Sequence, residues 1–146
     1  MRRLITMTAA LTLAGCSGVT PESAAEQGNP YPPNYRQLAA EYVKRSFIDP
    51  YSVRDGEIAA PKVAMGPGIL GDGSWGTPWL VCVRADAKNR MGAYAGLSET
   101  AVQVYGGKAV GSYGGPADFA GGSIDAGAAA CAGASYKPFT EINGKG

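Results

Sequence analysis

The stretch WLVCVRAD, residues 79–86, alternates so regularly that an extended strand is the conformation it best fits. Leu80, Cys82 and Arg84 fall on one face, and Val81, Val83 and Ala85 on the other. A lone strand is not stable in water, so the neighbouring sequence has to supply partners. Residues 99–105, ETAVQVY, form a second strand; Gly106-Gly107 is a two-residue turn, and residues 108–113 return as the hairpin partner. Residues 53–59 alternate well enough for a further strand, although Gly56 weakens it. Residues 64–78 read as a Gly/Pro-rich loop, and SIDAGAAACAG as a short helix capped by Ser123 and held back by its glycines.

One stretch has helical rather than strand periodicity. Tyr35, Leu38, Ala39, Tyr42, Val43 and Phe47 recur at i, i+3, i+4, i+7, i+8 and i+12, a single apolar stripe. Arg36, Gln37, Glu41, Lys44 and Arg45 lie largely off it. Asn34 is placed to cap the start, Lys44 and Arg45 suit the dipole at the end, and Asp49-Pro50 stops the helix by sterics. The stripe reads as core packing; a helix lying in a partner's groove is the sharper alternative. The expected fold is α+β: one amphipathic helix packed on a small antiparallel sheet, with Gly-rich loops.

The N-terminus carries a different signal. Arg2 and Arg3 precede a mostly apolar run, residues 4–14, of the length of a secretory signal core and too short to span a bilayer as a helix. Small residues Ala14 and Gly15 then precede Cys16, so residues 1–15 read as a cleavable export signal. Leu13-Ala14-Gly15-Cys16 also resembles a bacterial lipobox. That resemblance implies cleavage between Gly15 and Cys16, a diacylglyceryl group on the Cys16 sulfur, and in many species acylation of the new amine. Several buried chains at ~0.8 kcal/mol per methylene make a durable anchor, where a single chain does not. Ser17, rather than an aspartate, after the cysteine is similar to proteins sorted to the outer membrane. Residues 17–34, SGVTPESAAEQGNPYPPN, are poor in large apolar groups and read as a flexible tether stiffened by Pro32-Pro33. The expected organisation is a signal peptide at 1–15, a lipidated cysteine and tether at 16–34, and a single small domain at 35–146.

Removing residues 1–15 leaves 131 residues with 11 basic and 12 acidic side chains, a formal charge of −1 and no basic footprint for nucleic acid. With Cys16 assigned to lipid, Cys82 and Cys131 are left as an even pair, which an exported chain should join as a disulfide; two free buried thiols are the alternative.

Catalytic chemistry has little to work with. The chain contains no histidine, which excludes Ser-His-Asp and Cys-His nucleophilic sites and His-ligated zinc, and its cysteines lack a zinc spacing. Asp55 and Glu57, two apart on a strand, could share a face as a glycosidase's carboxylates do, and so could any solvated pair. Gly66-x-Gly68 and Gly71-x-Gly73 precede no clear helix and lack the Gly-Lys-Ser/Thr of a phosphate loop. No catalytic residue, metal site or cofactor is expected.

Residues 81–96 offer the densest cluster of polar side chains. Arg84, Lys88 and Arg90 fall within seven residues, with Asn89 and Tyr94 beside them. They could form an anion or glycan contact, guanidinium gripping carboxylate or phosphate and tyrosine stacking. The structural alternative, which the residues favour, is a connection folded by Asn89, with Gly92 and Gly96 supplying unusual φ angles. Asp49-Pro50-Tyr51-Ser52, Val81-Cys82-Val83-Arg84, Ala87-Lys88-Asn89, Gly92, Tyr94 and Gly96, with the tail 131–139, together resemble a pattern found in small Gram-negative envelope proteins of undetermined function. The resemblance implies fold and location but no activity. The expected function is that of an outer-membrane-anchored, periplasm-facing lipoprotein, a non-catalytic structural or accessory envelope component. Its partners would be the membrane through its lipid, and other envelope proteins or peptidoglycan. The alternative is a small protein-binding inhibitor of an envelope-degrading enzyme.

Overall fold

A computed structural model describes residues 20–66, 68–69, 74–115 and 124–144. The elements in chain order are helix α1 (Pro21–Glu26), helix α2 (Tyr35–Ser46), strands β1 (Arg54–Ala59), β2 (Lys62–Val63), β3 (Gly68–Ile69), β4 (Trp75–Gly76), β5 (Trp79–Asp86), β6 (Ser98–Tyr105) and β7 (Lys108–Gly114), helix α3 (Ile124–Ala130) and strand β8 (Tyr136–Pro138). Short 3-10 turns occupy Pro50–Ser52 and Thr140–Ile142. The main sheet is antiparallel, in the order β7-β6-β5-β1-β8. Its centre is the strand of regular alternation, β5. One edge of β5 pairs with β6 along its length, and the other is shared by β1 and, at its beginning, β2. β3 and β4 form a separate two-stranded ribbon inside the expected loop.

Both faces of the sheet are covered. On one, Leu38, Ala39, Tyr42, Val43 and Phe47 of the α2 stripe are buried with Trp79, Val81, Val83, Ala85, Val102 and Val104, closed by Phe139 and Ile142. The expected α+β architecture is thus present, with α2 as its principal helix. On the other face Cys82 is bonded to Cys131, which follows α3, amid Ala59 and Ala101. α3 approaches so closely that a side chain on Gly127 would collide with the Glu99 carbonyl and the Gly114 backbone. The expected Ser123 cap lies outside the described residues, as do the signal peptide, Gly15 and Cys16. Asn34 occupies the N-cap of α2, but at φ −93°, ψ 24° it lacks the extended conformation that aims a capping side chain, and it makes no capping bond.

Two further expectations are corrected. Residues 20–34 are not a flexible tether. Thr20 and Ser23 form a reciprocal capping box that starts α1, and Ala24 is fully buried in the main core. Asn29, also fully buried, donates from Nδ2 to the Thr77 carbonyl (2.8 Å), accepts at its carbonyl from Trp79 Nε1 (2.9 Å), and accepts at Oδ1 from the Gly106 N–H (3.1 Å). Satisfying a buried amide this fully fixes the segment against both the start of β5 and the β6–β7 turn. The domain body therefore includes residues from Thr20 on, and Tyr31 meets Trp79 edge-to-face at 5.2 Å. The second correction concerns β1. A bulge between Arg54 and Glu57 interrupts the alternation, and Asp55 adopts φ 52°. The reason is the C-terminal segment. The Gly56 N–H donates to Asn143 Oδ1 (3.0 Å) and its carbonyl accepts from the Phe139 N–H (2.7 Å), an approach that a Cβ on Gly56 would block.

Two stability outcomes follow from this packing. The Cys82–Cys131 bond closes 49 residues, so Cys82→Ala/Cys131→Ala should lower unfolding free energy in urea by up to about 4 kcal/mol. Alkylation of both thiols in the folded, unreduced protein would contradict the bond. Asn29→Ala should cost roughly 1–3 kcal/mol in the same assay, because it strands the buried Thr77 carbonyl; a free tether would lose nothing.

Candidate functional site

The sheet has two unlike ends. At the turn end, the start of β5 and the β6–β7 turn meet the Asn29 segment. At the loop end, β5 finishes, β1 and β6 begin, and residues 87–97 connect β5 to β6. The loop end carries most of the residues singled out by sequence.

Asn89 folds that connection. Its N–H donates to the Ala93 carbonyl (2.9 Å), and its own carbonyl accepts from the Gly92 N–H (3.0 Å). Its Oδ1 accepts from the N–H groups of Met91 (3.0 Å) and Ala93 (3.1 Å). Gly92, at φ 75°, supplies the left-handed residue, and Lys88 pairs with Tyr94 across the turn, which leaves Met91 at the tip. The turn is anchored to the segment after α2. Ser52 Oγ accepts from the Lys88 N–H (2.9 Å) and donates to the Asp49 carbonyl (2.8 Å), while Tyr94 OH donates to the Ser52 carbonyl (3.1 Å). The pieces Asp49-Pro50-Tyr51-Ser52 and Lys88-Asn89…Tyr94, separated in sequence, thus form one joint.

Asp86 is the joint's charged centre. Only 5% exposed, it accepts at Oδ2 from Arg54 Nε (3.0 Å) and from a second guanidinium nitrogen (2.8 Å), and at Oδ1 from the Gly96 N–H (3.0 Å). The Arg54 guanidinium lies 3.7 Å over the Tyr94 ring and Lys88 Nζ 5.6 Å from its centroid. Of the five candidate ligand contacts, Lys88, Asn89 and Tyr94 are brought together, and Arg90 sits on the same turn. Arg84 belongs to a second group. Its Nε donates to Glu57 Oε2 (2.7 Å), and its guanidinium lies 4.4 Å over Tyr136, whose OH donates to Glu99 Oε1 (2.7 Å). Burial, and then the bond to Glu99, push the Tyr136 phenol above its ordinary value, so it is a neutral donor. Asp55 and Glu57 both line a cavity of about 400 Å³ with Arg84, Leu97, Pro138 and Asn143, but Glu57 is held in its ion pair with Arg84. Among the described residues no cluster of three or more potential ligands could hold a metal ion.

Beside the exposed Arg54, Asp55 and Arg90, the loop end exposes three large apolar side chains. Tyr51 is 84% exposed, Met91 86% and Leu97 57%, against a framework whose polar groups are engaged with one another. Sequence reading assigned no contact role to any of the three, nor to Arg54, Asp86 and Asn143, although Tyr51 lies within the Asp49-Pro50-Tyr51-Ser52 pattern. The available clue was their setting: each apolar residue sits in or beside a turn that no strand or helix pattern claims.

A further ion pair ties the C-terminal segment to α2. Arg36 donates from Nε and a second nitrogen to the two Glu141 oxygens (2.7 Å each) and to the Pro138 carbonyl (3.0 Å). Arg36 holds the Glu141 carboxyl down to about 2 from 4.5. The lowered value means that the pair's contribution is complete above about pH 4.5 and is lost as pH falls toward 2. The carboxylate is 44% exposed, so that contribution should be at most about 1 kcal/mol. In Arg36→Ala, the Glu141 carboxyl should titrate clearly higher, moving from about 2 toward the ordinary carboxylate range by NMR; an unchanged titration would exclude Arg36 as the cause.

Comparison with protein-family models, with curated proteins and with solved structures found no match to this chain.

Proposed function

We propose that the protein is a non-catalytic envelope component, carried on a lipid at Cys16 at the periplasmic face of the outer membrane, that acts by presenting the loop end of its sheet to another envelope protein. The observation that carries this reading is the contrast at that end. Arg54, Asp86, Asn89 and Tyr94 are bound to each other or to backbone, while Tyr51, Met91 and Leu97 stand in solvent. Exposed aromatic, methionine and leucine side chains on a braced framework suit protein contact. The lipobox resemblance and the Cys82–Cys131 bond, suited to an oxidising compartment, support export. Ser17 and the likeness to small Gram-negative envelope proteins support the outer membrane. Contact with peptidoglycan is the weaker use of the same end, since Arg54 and Arg84 already have carboxylate partners.

A second reading, inhibition of an envelope-degrading enzyme, is favoured by one feature. Met91 projects at the tip of a turn that Asn89 makes rigid, a shape able to enter a cleft.

Both readings are tested by capture from cross-linked envelopes. A defined partner should be recovered with the native chain and fall about fivefold or more with Met91→Ser/Leu97→Ser, as loss of a contact worth 1 kcal/mol or more implies. Recovery of a degradative enzyme would select the inhibitor. Undiminished capture by the variant would remove the loop end from the account. Turnover of peptidoglycan fragments, abolished by Glu57→Gln, would overturn the non-catalytic reading. In parallel, Cys16→Ser should move the protein to the soluble fraction with its fold and disulfide unchanged.

A further inference from the structure

The packing of residues 20–31 has a geometric consequence for a lipid-anchored chain. We infer that the turn end of the sheet is held against the bilayer surface and that the loop end points away from it. This inference rests on the reading of Cys16 as the lipid anchor.

The first premise is reach. Four Cα–Cα steps separate Cys16 from Thr20, and whatever path residues 17–19 take, they extend at most about 14 Å. Thr20 is part of the folded body through its reciprocal bonds with Ser23 (3.0 and 3.2 Å), and buried Ala24 fastens the same helix to the core. A tether of 18 residues would let the domain rotate freely; three residues do not.

The second premise is where the anchor point lies. The beginning of α1 lies beside Pro61 and Trp79, in a shallow cavity lined also by Ala25 and Tyr31. Its other end is fixed through Asn29 to Thr77, Trp79 and the Gly106 turn, with Tyr105 OH reaching the Gln27 carbonyl at 3.5 Å. Both ends of α1 therefore sit at the turn end. The eight residues of β5 carry the chain from there to the loop end, about 24 Å away at strand rise.

The third premise is the chemistry at the turn end. Tyr31 is 47% exposed with its ring on Trp79, Tyr105 is half-buried, and Lys108 is exposed on the β6–β7 turn. Tyrosine and lysine suit a headgroup layer, an apolar body inward and a polar tip outward. The occupant of this surface is the bilayer that holds the anchor. Met91 and Leu97, at the opposite end, stand clear of it and open to a protein in the periplasm.

The test uses full-length protein in cells, with benzoylphenylalanine placed singly at Ala25 or Lys108 (turn end) and at Met91 or Leu97 (loop end). After irradiation of washed membranes, phospholipid adducts should be several-fold more abundant at Ala25 and Lys108. Inserting about 20 Gly/Ser residues between Val19 and Thr20, with a mean span of about 25 Å, should abolish that difference without releasing the protein from membranes. Intact mass reads Cys16 acylation in the same samples. An acylated protein labelled equally at both ends, or more at Met91, overturns the orientation alone. A Cys16 with no acyl mass overturns both the orientation and the anchor.

Discussion

Seven of the eight residues of β5 are buried, Arg84 being the half-exposed one, and the strand presents apolar groups to both faces of the sheet. A strand of that kind sets a requirement on the remaining chain, because each face must be covered or water wets the core. The two covers differ in nature. α2 brings a stripe of large side chains and works by burial area. α3, five of whose seven residues are alanine or glycine, has little area to offer. It works by proximity, with Gly127 seated on the sheet backbone and the Cys82–Cys131 bond holding the helix's end to the middle of β5. The disulfide thus sits where hydrophobic packing is weakest.

The same division explains the polar groups. Where α2 ends, the chain has to cross from the helical layer to the sheet, and it does so through Pro50–Ser52 into the bulged start of β1. Backbone at such connections has no ladder to join; Ser52 and Asn143 satisfy it at Lys88 and Gly56, distant in sequence, while Asp86 and Asn89 satisfy it within the β5–β6 connection, at Gly96 and Ala93. Residues that look like a binding cluster in sequence are therefore spent on holding together a junction. The large apolar side chains that stand outward at that end and take no part in the junction are those of Tyr51, Met91 and Leu97.

Much of the fold is legible in the sequence because it rests on local rules. Period-two alternation marks β5 over Trp79–Asp86, Gly106-Gly107 at φ 56° and 73° turns the β6–β7 hairpin as a diglycine should, and the α2 stripe is buried as spaced. The parts that escaped are those decided by contacts distant in sequence. Residues 20–34 have a linker's composition, and only the placement of Thr77, Trp79 and Gly106 makes Asn29 a core residue. β8, three residues long, exists because β1 offers an edge. Of the site, the folding role of Asn89 could be read from residue type, whereas the engagement of Arg84 with Glu57 and Tyr136 depends on register across β1, β5 and β8.

The segment that forces the bulge in β1 also governs timing. Phe139 and Ile142 close the core under α2, the Gly144 N–H bonds the Val53 carbonyl at 2.7 Å, and β8 seals the edge of β1. Elements made early are thus completed only by residues made about a hundred positions later. Pairings of such long range are slow to form, since the intervening chain must first be brought round. A folding chain of this kind stays open until residues 139–144 have arrived, with Gly56 uncovered and the α2 stripe only partly roofed. The late closure makes residues 139–144 the latch on the whole body.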